Sequence, residues 1–427
     1  MPKGRNFVLC ALLFAPLFLR AQQEPPSSTD ELVRIGLAQN KDLLAIREGI
    51  AEAKGLKRQA GVRPAPILSL RGATGRPLGT VGEDIYGGDV TQEIETFGKR
   101  GKRIQVAGYD IAKAEVELQD KSAQLAYEIR TALAERRAEQ DKLKMLSQLV
   151  LVNQDALRLT EARVREGDVA PLEANLLKVE IAKTGVLRNN AQGRLTTAEA
   201  TLRRLLGMSM AQPIPPVASE AVSTDGLDLF EERALQARAD IRGARVSEDQ
   251  LRDAVTLAKA NAKPNVNLSA GYTRQNSQFD DLYGTTTTGA VAPLRDRDDI
   301  LSVGVSMPLR STRSGKGEIE AANARANAAR LHREFLEHSI PIEVSASYQR
   351  LATAKESLAL LGTDVVDASA KNLEVIREAY KLGQLRLLDV LNEQRQVVDT
   401  HLAYIEAQAE LARSWAELER TIGGNLP

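Results

Sequence analysis

The chain is poor in aromatics, histidine and cysteine, has no net charge, and has no long apolar run after its first residues. Phe, Tyr and Trp make up 4% of its 427 residues. Large globular cores usually lean on those side chains for buried area, so helices packed at close range are the expected alternative. The single cysteine, Cys10, lies inside an apolar N-terminal run. Once that run is cleaved, no disulfide, zinc–thiolate site or cysteine nucleophile is available. Lys+Arg and Asp+Glu both total 57. Nucleic-acid binding calls for a basic face, so no nucleic-acid partner is expected. His332, His338 and His401 share no helical face, and Met145, Met208, Met210 and Met307 show no ligand spacing; we read them as ordinary side chains, not metal ligands. No nucleophile–base pair is visible. Gly315–Lys316–Gly317 lacks the spacing of a phosphate-binding loop. The expectation is therefore no enzyme, no cofactor and no resident metal.

No stretch after the N-terminal run approaches the roughly 20 apolar residues of a transmembrane helix. The N-terminus itself reads as a secretory signal. Lys3 and Arg5 are followed by an apolar run from Phe7 to Leu19, too short to span as a helix, and cleavage is expected after Ala21. An exported chain without a helical span either stays soluble or crosses an outer membrane by strands.

What the chain does contain is a duplication. Thr201–Leu202–Arg203–Arg204–Leu205–Leu206–Gly207 closes one half and Glu417–Leu418–Glu419–Arg420–Thr421–Ile422–Gly423 the other, an offset of 423 − 207 = 216. Gly167 and Gly383 repeat at that offset. Further upstream Asn40 answers Asp240, Pro64 answers Pro264, and Leu68–Ser69 answers Leu268–Ser269, an offset of 264 − 64 = 200. Solenoid repeats are far shorter. The expected layout is a signal over 1–21, a first repeat over 22–207, a linker over 208–226, a second repeat over 227–423 and a tail over 424–427.

Each repeat reads helix, two strands, very long helix, helix. The first helix is predicted over 30–62, capped by Thr29 or Asp30. Strands follow over 67–72 and 85–96. From 102 to 166 there is no proline and one glycine, Gly108, which predicts a rod of about 98 Å at 1.5 Å per residue. Gly167 to Pro171 makes the turn, with Pro171 suited to the first turn of the next helix, which stops at Gly207. In the second repeat the pattern predicts a helix over 227–262, a strand from 266 to 272, a polar loop over 275–299 and a strand over 301–307. A long helix then runs to about Leu382, and Pro341 is expected to kink or break it. Val398, Leu402, Ile405, Ala409, Ala412 and Ala416 space a heptad seam along the last helix. The fold class is mainly α with a small β part.

Strands of about ten residues with one apolar face suit a tilted crossing of a hydrocarbon layer. Four cannot close a barrel, and an open edge cannot face lipid. Three chains would supply twelve strands around a lumen. The alternative is two small soluble hairpins capping a helical bundle.

In its order of elements and its duplication the chain resembles the TolC-like outer-membrane efflux channels. Two segments carry the resemblance further. Gln92–Glu93–Ile94–Glu95–Thr96–Phe97–Gly98–Lys99–Arg100 looks like the strand-exit segment of the CzcC-like heavy-metal branch. The helix-hairpin tips Arg163-x-x-x-Gly167 and Tyr380–Lys381–Leu382–Gly383, followed by Asp389–Val390–Leu391, are similar to tips at the family's periplasmic end. The resemblance implies a homotrimer in the outer membrane of a Gram-negative bacterium. Its twelve strands form one β-barrel, and its duplicated long-helix hairpins form an α-barrel tunnel in the periplasm. The channel passively takes solute from an inner-membrane transporter through a periplasmic adaptor (membrane fusion protein). By the same resemblance Arg163, Gly167, Pro171, Gly383 and Leu387 meet the adaptor, and Asp389 rings the pore entrance. Asn392 stands where a second acid is often found, a departure that weakens any cation-selective ring. The cargo implied is metal cations, with drugs, organic solvents and small peptides as alternatives. A periplasmic helical-hairpin adaptor and a type I secretion exit duct are the competing readings. Glu93 and Glu95 share a strand face and are read as lumen-facing, and the cations from Lys99 to Arg103 as a solvated turn, with anionic lipid or nucleic acid as alternative partners.

Overall fold

The computed structural model describes residues 28–79, 82–215, 226–309 and 315–424, except the side chains at 280 and 281. The expected signal over 1–21, most of the expected linker and residues 425–427 of the expected tail lie outside the described residues. Among the described residues, no helix is long and apolar enough to cross a membrane.

The first predicted helix is two. α1 (Thr29–Gln39) and α2 (Lys41–Ala60) are separated by Asn40, whose backbone is extended at ψ 116°. Asn40 makes the break favourable. Its Oδ1 accepts from the N–H groups of Asp42 and Leu43 at 3.0 and 3.2 Å, and its Nδ2 donates to the Leu205 carbonyl at 3.0 Å. The cap of α1 is Ser28, one residue before the predicted pair, with its Oγ accepting from Glu31 N at 3.1 Å. In the second repeat α5 (Leu227–Ala237) and α6 (Ala239–Asn261) are separated in the same way by Arg238, at ψ 136°. Arg238 Nη1 donates to the Thr421 carbonyl at 3.3 Å. Leu205 stands two residues before Gly207, and Thr421 two before Gly423. An amide and a guanidinium thus satisfy the same orphan helix-end carbonyl in the two repeats.

The rods are α3 (Lys99–Glu166), α4 (Pro171–Leu206), α7 (Lys316–Leu360), α8 (Thr363–Lys381) and α9 (Leu387–Thr421). α3 has 68 residues, about 102 Å at 1.5 Å each. Of the kink or break expected at Pro341, the break does not occur: α7 runs through it. Ile340 and Val344 on either side are fully buried against Phe230, Ile241, Trp415 and Leu418, and that packing offsets a proline cost of about 3 kcal/mol. The interruption falls at Leu361–Gly362 instead. α3 and α7 both start after a left-handed glycine, Gly98 and Gly315. Their starts are 316 − 99 = 217 apart, one more than the tip glycines. The second rod is therefore one residue shorter between its start and its tip glycine, and it is interrupted where the first is continuous.

Two equivalent cores hold the short helices to the rods. Leu32, Val33, Leu43, Ile129, Leu133, Leu202, Leu205 and Leu206 form the first. Phe230, Ala234, Ile241, Ile340, Val344, Leu351, Trp415 and Leu418 form the second. The predicted seam of α9 is only partly realised. Ile405 and Ala409 pack on Ala138 of α3 and Ala416 is buried, but Ala412 is exposed and Val398 and Leu402 are half-buried.

The strands β1 (Ile67–Thr74), β2 (Asp84–Ile94), β3 (Val266–Thr285) and β4 (Val291–Ser306) form one antiparallel sheet in the order β1-β2-β3-β4. The predicted loop over 275–299 is mostly strand. β3 and β4 pair beyond the last β2 partners, Asp84 and Asn276, as far as Thr285 opposite Val291. The turn is closed by Thr286 N on the Ala290 carbonyl at 2.8 Å and Ala290 N on Thr286 Oγ1 at 3.1 Å. Polar composition concealed this hairpin, because the ladder bonds satisfy the backbone whatever the side chains are.

Candidate functional site

The sheet has two unlike faces. Leu68, Val90, Ala270 and Val303 stand side by side across the four strands, and Leu70, Gly88, Tyr272 and Leu301 form the next row on that face. Leu301 and Val303 are 79% and 81% exposed. The opposite face carries Ser69, Asp89, Gly271 and Ser302 in one row, and Thr91, Ser269 and Gly304 in another. The period of two turns alternating sequence into an apolar wall backed by a polar one. From Ile94 up to Tyr86 the apolar face spans about 26 Å along the strand, or about 20 Å once tilted, close to the apolar band of outer-membrane barrels. Tyr86 and Tyr272 stand at its upper rim, where barrels carry aromatic girdles. Arg71 and Asp89 pair at 2.5 Å on the polar face.

Glu93 and Glu95 do different work. Glu93 accepts from Asn265 Nδ2 at 2.5 Å. Glu95 lies just below the sheet, where Arg103 donates to it at 2.5 and 3.1 Å. That guanidinium holds the Glu95 carboxyl below the usual carboxylate range.

At the other end of the rods the two tips turn by identical geometry. Asp168 N donates to the Arg163 carbonyl at 2.9 Å and Gly167 N to Val164 at 3.1 Å, while Gln384 N reaches Ala379 at 3.0 Å and Gly383 N reaches Tyr380 at 2.9 Å. Each is a Schellman motif with a left-handed glycine, φ 86° at Gly167 and 76° at Gly383. Pro171 occupies the first turn of α4. The tips are joined. Tyr380 Oη donates to Glu173 Oε2 at 2.7 Å, and burial together with that bond pushes the Tyr380 phenol up to about 12. Below this joint Leu177, Leu387 and Leu391 form a small core, and Arg395 reaches Glu180 at 2.8 Å.

Of the residues expected at the tips, Gly167, Pro171 and Gly383 are exposed and Arg163 is half-buried. Leu387, by contrast, is 5% exposed and props the tip from inside, packed on Leu177 and Leu391. Its place in the i, i+4 stripe with Leu391 was the signal that could have shown this. Leu172 and Leu382 project into solvent beside the turns. Asp389 is exposed, and its Oδ2 accepts from Arg386 N at 3.0 Å, so it closes the first turn of α9 whatever else it does. Among the described residues no cluster of His, Cys, Asp and Glu is arranged to hold a metal.

The profile of the family described as Outer membrane efflux protein matches residues 32–208 and 231–424. The chain belongs to this family. The outer membrane efflux protein BepC of Brucella suis is 23% identical over 277 residues, 62% of this chain and 56% of BepC, so the match spans little more than half of that relative. The cobalt-zinc-cadmium resistance protein CzcC of Cupriavidus metallidurans is 20% identical over 416 residues, 96% of this chain and 92% of CzcC. In fold the chain is similar to the outer-membrane channel OprN, with a TM-score of 0.73 at 21% identity, covering 99% of this chain and 98% of that one. Family membership places the chain in the outer membrane with its helices in the periplasm, and sets aside the reading as a periplasmic adaptor.

Proposed function

We propose that three copies assemble into the outer-membrane exit duct of a tripartite efflux system. The observation that carries this reading is the open four-stranded sheet. It has an apolar face, a polar face and, among the described residues, no partner for the outer edges of β1 and β4. Bare edges cannot be left in hydrocarbon, and pairing β4 of one copy with β1 of the next closes twelve strands with the polar face inward. The long rods continue the lumen into the periplasm. The duct is passive, so solute is driven by an inner-membrane transporter and handed on by an adaptor that docks at the tips around Arg163, Gly167, Pro171 and Gly383. A type I secretion duct would use the same architecture. The similarity to a cobalt-zinc-cadmium resistance protein and the strand-exit segment at 92–100 favour divalent metal cations as cargo. Exposed Asp389 carboxylates, three per trimer, would favour cations at the entrance.

The decisive test is a disulfide between edges. Leu70 and Leu301 lie in one row with two strands between them, about 14 Å apart at 4.8 Å per strand, too far for an internal disulfide. Leu70→Cys, combined in turn with single cysteines along β4, should yield cross-linked trimers in membranes. A water-soluble monomer that never cross-links sinks the duct. Loss of the gene should then sensitise cells to cobalt, zinc or cadmium more than to dyes or detergents, and the reverse order would overturn the cargo.

A further inference from the structure

The basic residues at the foot of the barrel are more than a solvated turn. Three chain segments meet there. Arg100 Nε donates to the Gly61 carbonyl at 2.6 Å and Arg103 Nη2 to Val62 at 3.1 Å, which ties the start of α3 to the segment leading into β1. Lys99 Nζ donates to the Lys263 carbonyl at 2.6 Å, which ties it to the segment leading into β3. These ties place Arg58, Arg63, Arg100, Lys102 and Lys263 on the segments just below the sheet, under Ile94 and Val266 at the lower end of its apolar face.

This cluster carries more positive than negative charge. Glu95 is paired with Arg103, and Glu93 accepts only from the neutral Asn265 amide and so keeps its charge, but these two carboxylates face a larger number of cations. Among the described residues, Arg58, Arg63, Arg100, Lys102 and Lys263 form no ion pair. The rods, by contrast, pair their charges repeatedly, as at Lys142–Glu406, Arg333–Glu248 and Arg395–Glu180. A second observation points the same way. Phe97 is the only described non-glycine residue at positive φ, 57°. That backbone strain presents its ring at 52% exposure, with Lys263 Nζ 4.4 Å from the ring centre. An aromatic ring and unneutralised cations at the edge of an apolar band match the depth at which lipid phosphates lie.

We infer that this collar binds anionic phospholipid headgroups of the periplasmic leaflet. The ligand class is a glycerophospholipid with net negative charge, its phosphate held by Arg63, Arg100 and Lys263 while its acyl chains lie on the apolar rows above. The inference rests on the barrel reading, since without insertion the collar has no leaflet to meet. Lys316, at the start of α7, extends the collar toward β4, although Glu318 beside it offsets part of its charge.

The test uses the purified full-length assembly in vesicles of phosphatidylcholine alone or doped with phosphatidylglycerol, reading the lipid retained after detergent extraction by mass spectrometry. Phosphatidylglycerol should be retained in preference to phosphatidylcholine, and the preference should fade as salt rises toward about 1 M, where screening reaches about 3 Å. The variant Arg63→Gln/Arg100→Gln/Lys102→Gln/Lys263→Gln should lose about fivefold of that preference for each cation removed. Neutralising Arg165, Lys178, Arg188 and Lys381 at the far end should leave it intact. Arg63→Lys/Arg100→Lys should largely keep it, and should decide the matter should the glutamine variant not fold. A preference that survives high salt, equal loss from the distal variant, or retention of lipopolysaccharide in place of phosphatidylglycerol would overturn the inference while leaving the duct intact. Failure to enter either bilayer would bring down the duct reading as well.

Discussion

Gly207 and Gly423 end their helices by the same turn as Gly167 and Gly383, yet the two pairs live in different surroundings. All four are left-handed, with φ between 70° and 99°. At the tips a Cβ would meet nothing within 4 Å. At the other ends of α4 and α9, the equator of the rods where the short helices pack, a Cβ on Gly207 would lie 2.8 Å from the Gln39 carbonyl oxygen, and one on Gly423 2.9 Å from the backbone of Ala237 and Arg238. Within the chain, the tip glycines serve the backbone turn and no close packing. The equatorial glycines serve the turn and also let the broken short helices press against the rod ends. Duplication copied the local motif, and tertiary packing then gave the copies different weight.

The sharpest way to break this comparison is to add the missing methyl. Gly207→Ala and Gly423→Ala should each cost about 3 kcal/mol or more, because strain from the left-handed backbone adds to collision with a neighbouring main chain. Denaturant midpoints of the purified protein measure this. Next comes Asn40→Ala, which removes both the cap of α2 and the donor to the Leu205 carbonyl. About 2 kcal/mol should be lost, and a loss well below 1 would show that the break at Asn40 does not depend on its side chain. Gly167→Ala and Gly383→Ala should cost only about 1 kcal/mol, the backbone penalty alone. Equal losses at all four glycines would end the distinction between tip and equator.

The smallest effect concerns the joint between the tips. Tyr380→Phe should cost below about 1 kcal/mol in neutral buffer. The phenol is raised in the folded protein from 10.0 to about 12. Its contribution is therefore complete below pH 10 and lost as pH climbs toward 12. Hydrogen exchange at the tips should accelerate over that window in the natural protein and much less in Tyr380→Phe. A natural protein insensitive to pH there would detach Tyr380 from the joint.

Much of this was legible from residues alone. Gly167, Gly207 and Gly383 announced helix ends because left-handed backbone is costly for other residues. Pro171 announced a helix start, and Leu301, Val303 and Val305 an exposed apolar strand face. What was hidden shares one cause. The breaks at Asn40 and Arg238 depend on carbonyls more than 150 residues away in sequence, Leu205 and Thr421. The length of the β3–β4 hairpin depends on mutual pairing of polar segments. Pro341 passes through α7 because Ile340 and Val344 are locked in a core supplied by α5, α6 and α9. The burial of Leu387 depends on its neighbour Leu177 on α4.

The sequence by itself determined the repeat, the periods of two and of 3.6, and the turn positions, because these follow from backbone geometry within a few residues. Only the tertiary structure decided which glycines are jammed and which are open. It likewise decided which leucine props the tip, and which cations below the sheet form no ion pair among the described residues. Those outcomes depend on atoms brought together from distant segments, and local spacing carries no record of them.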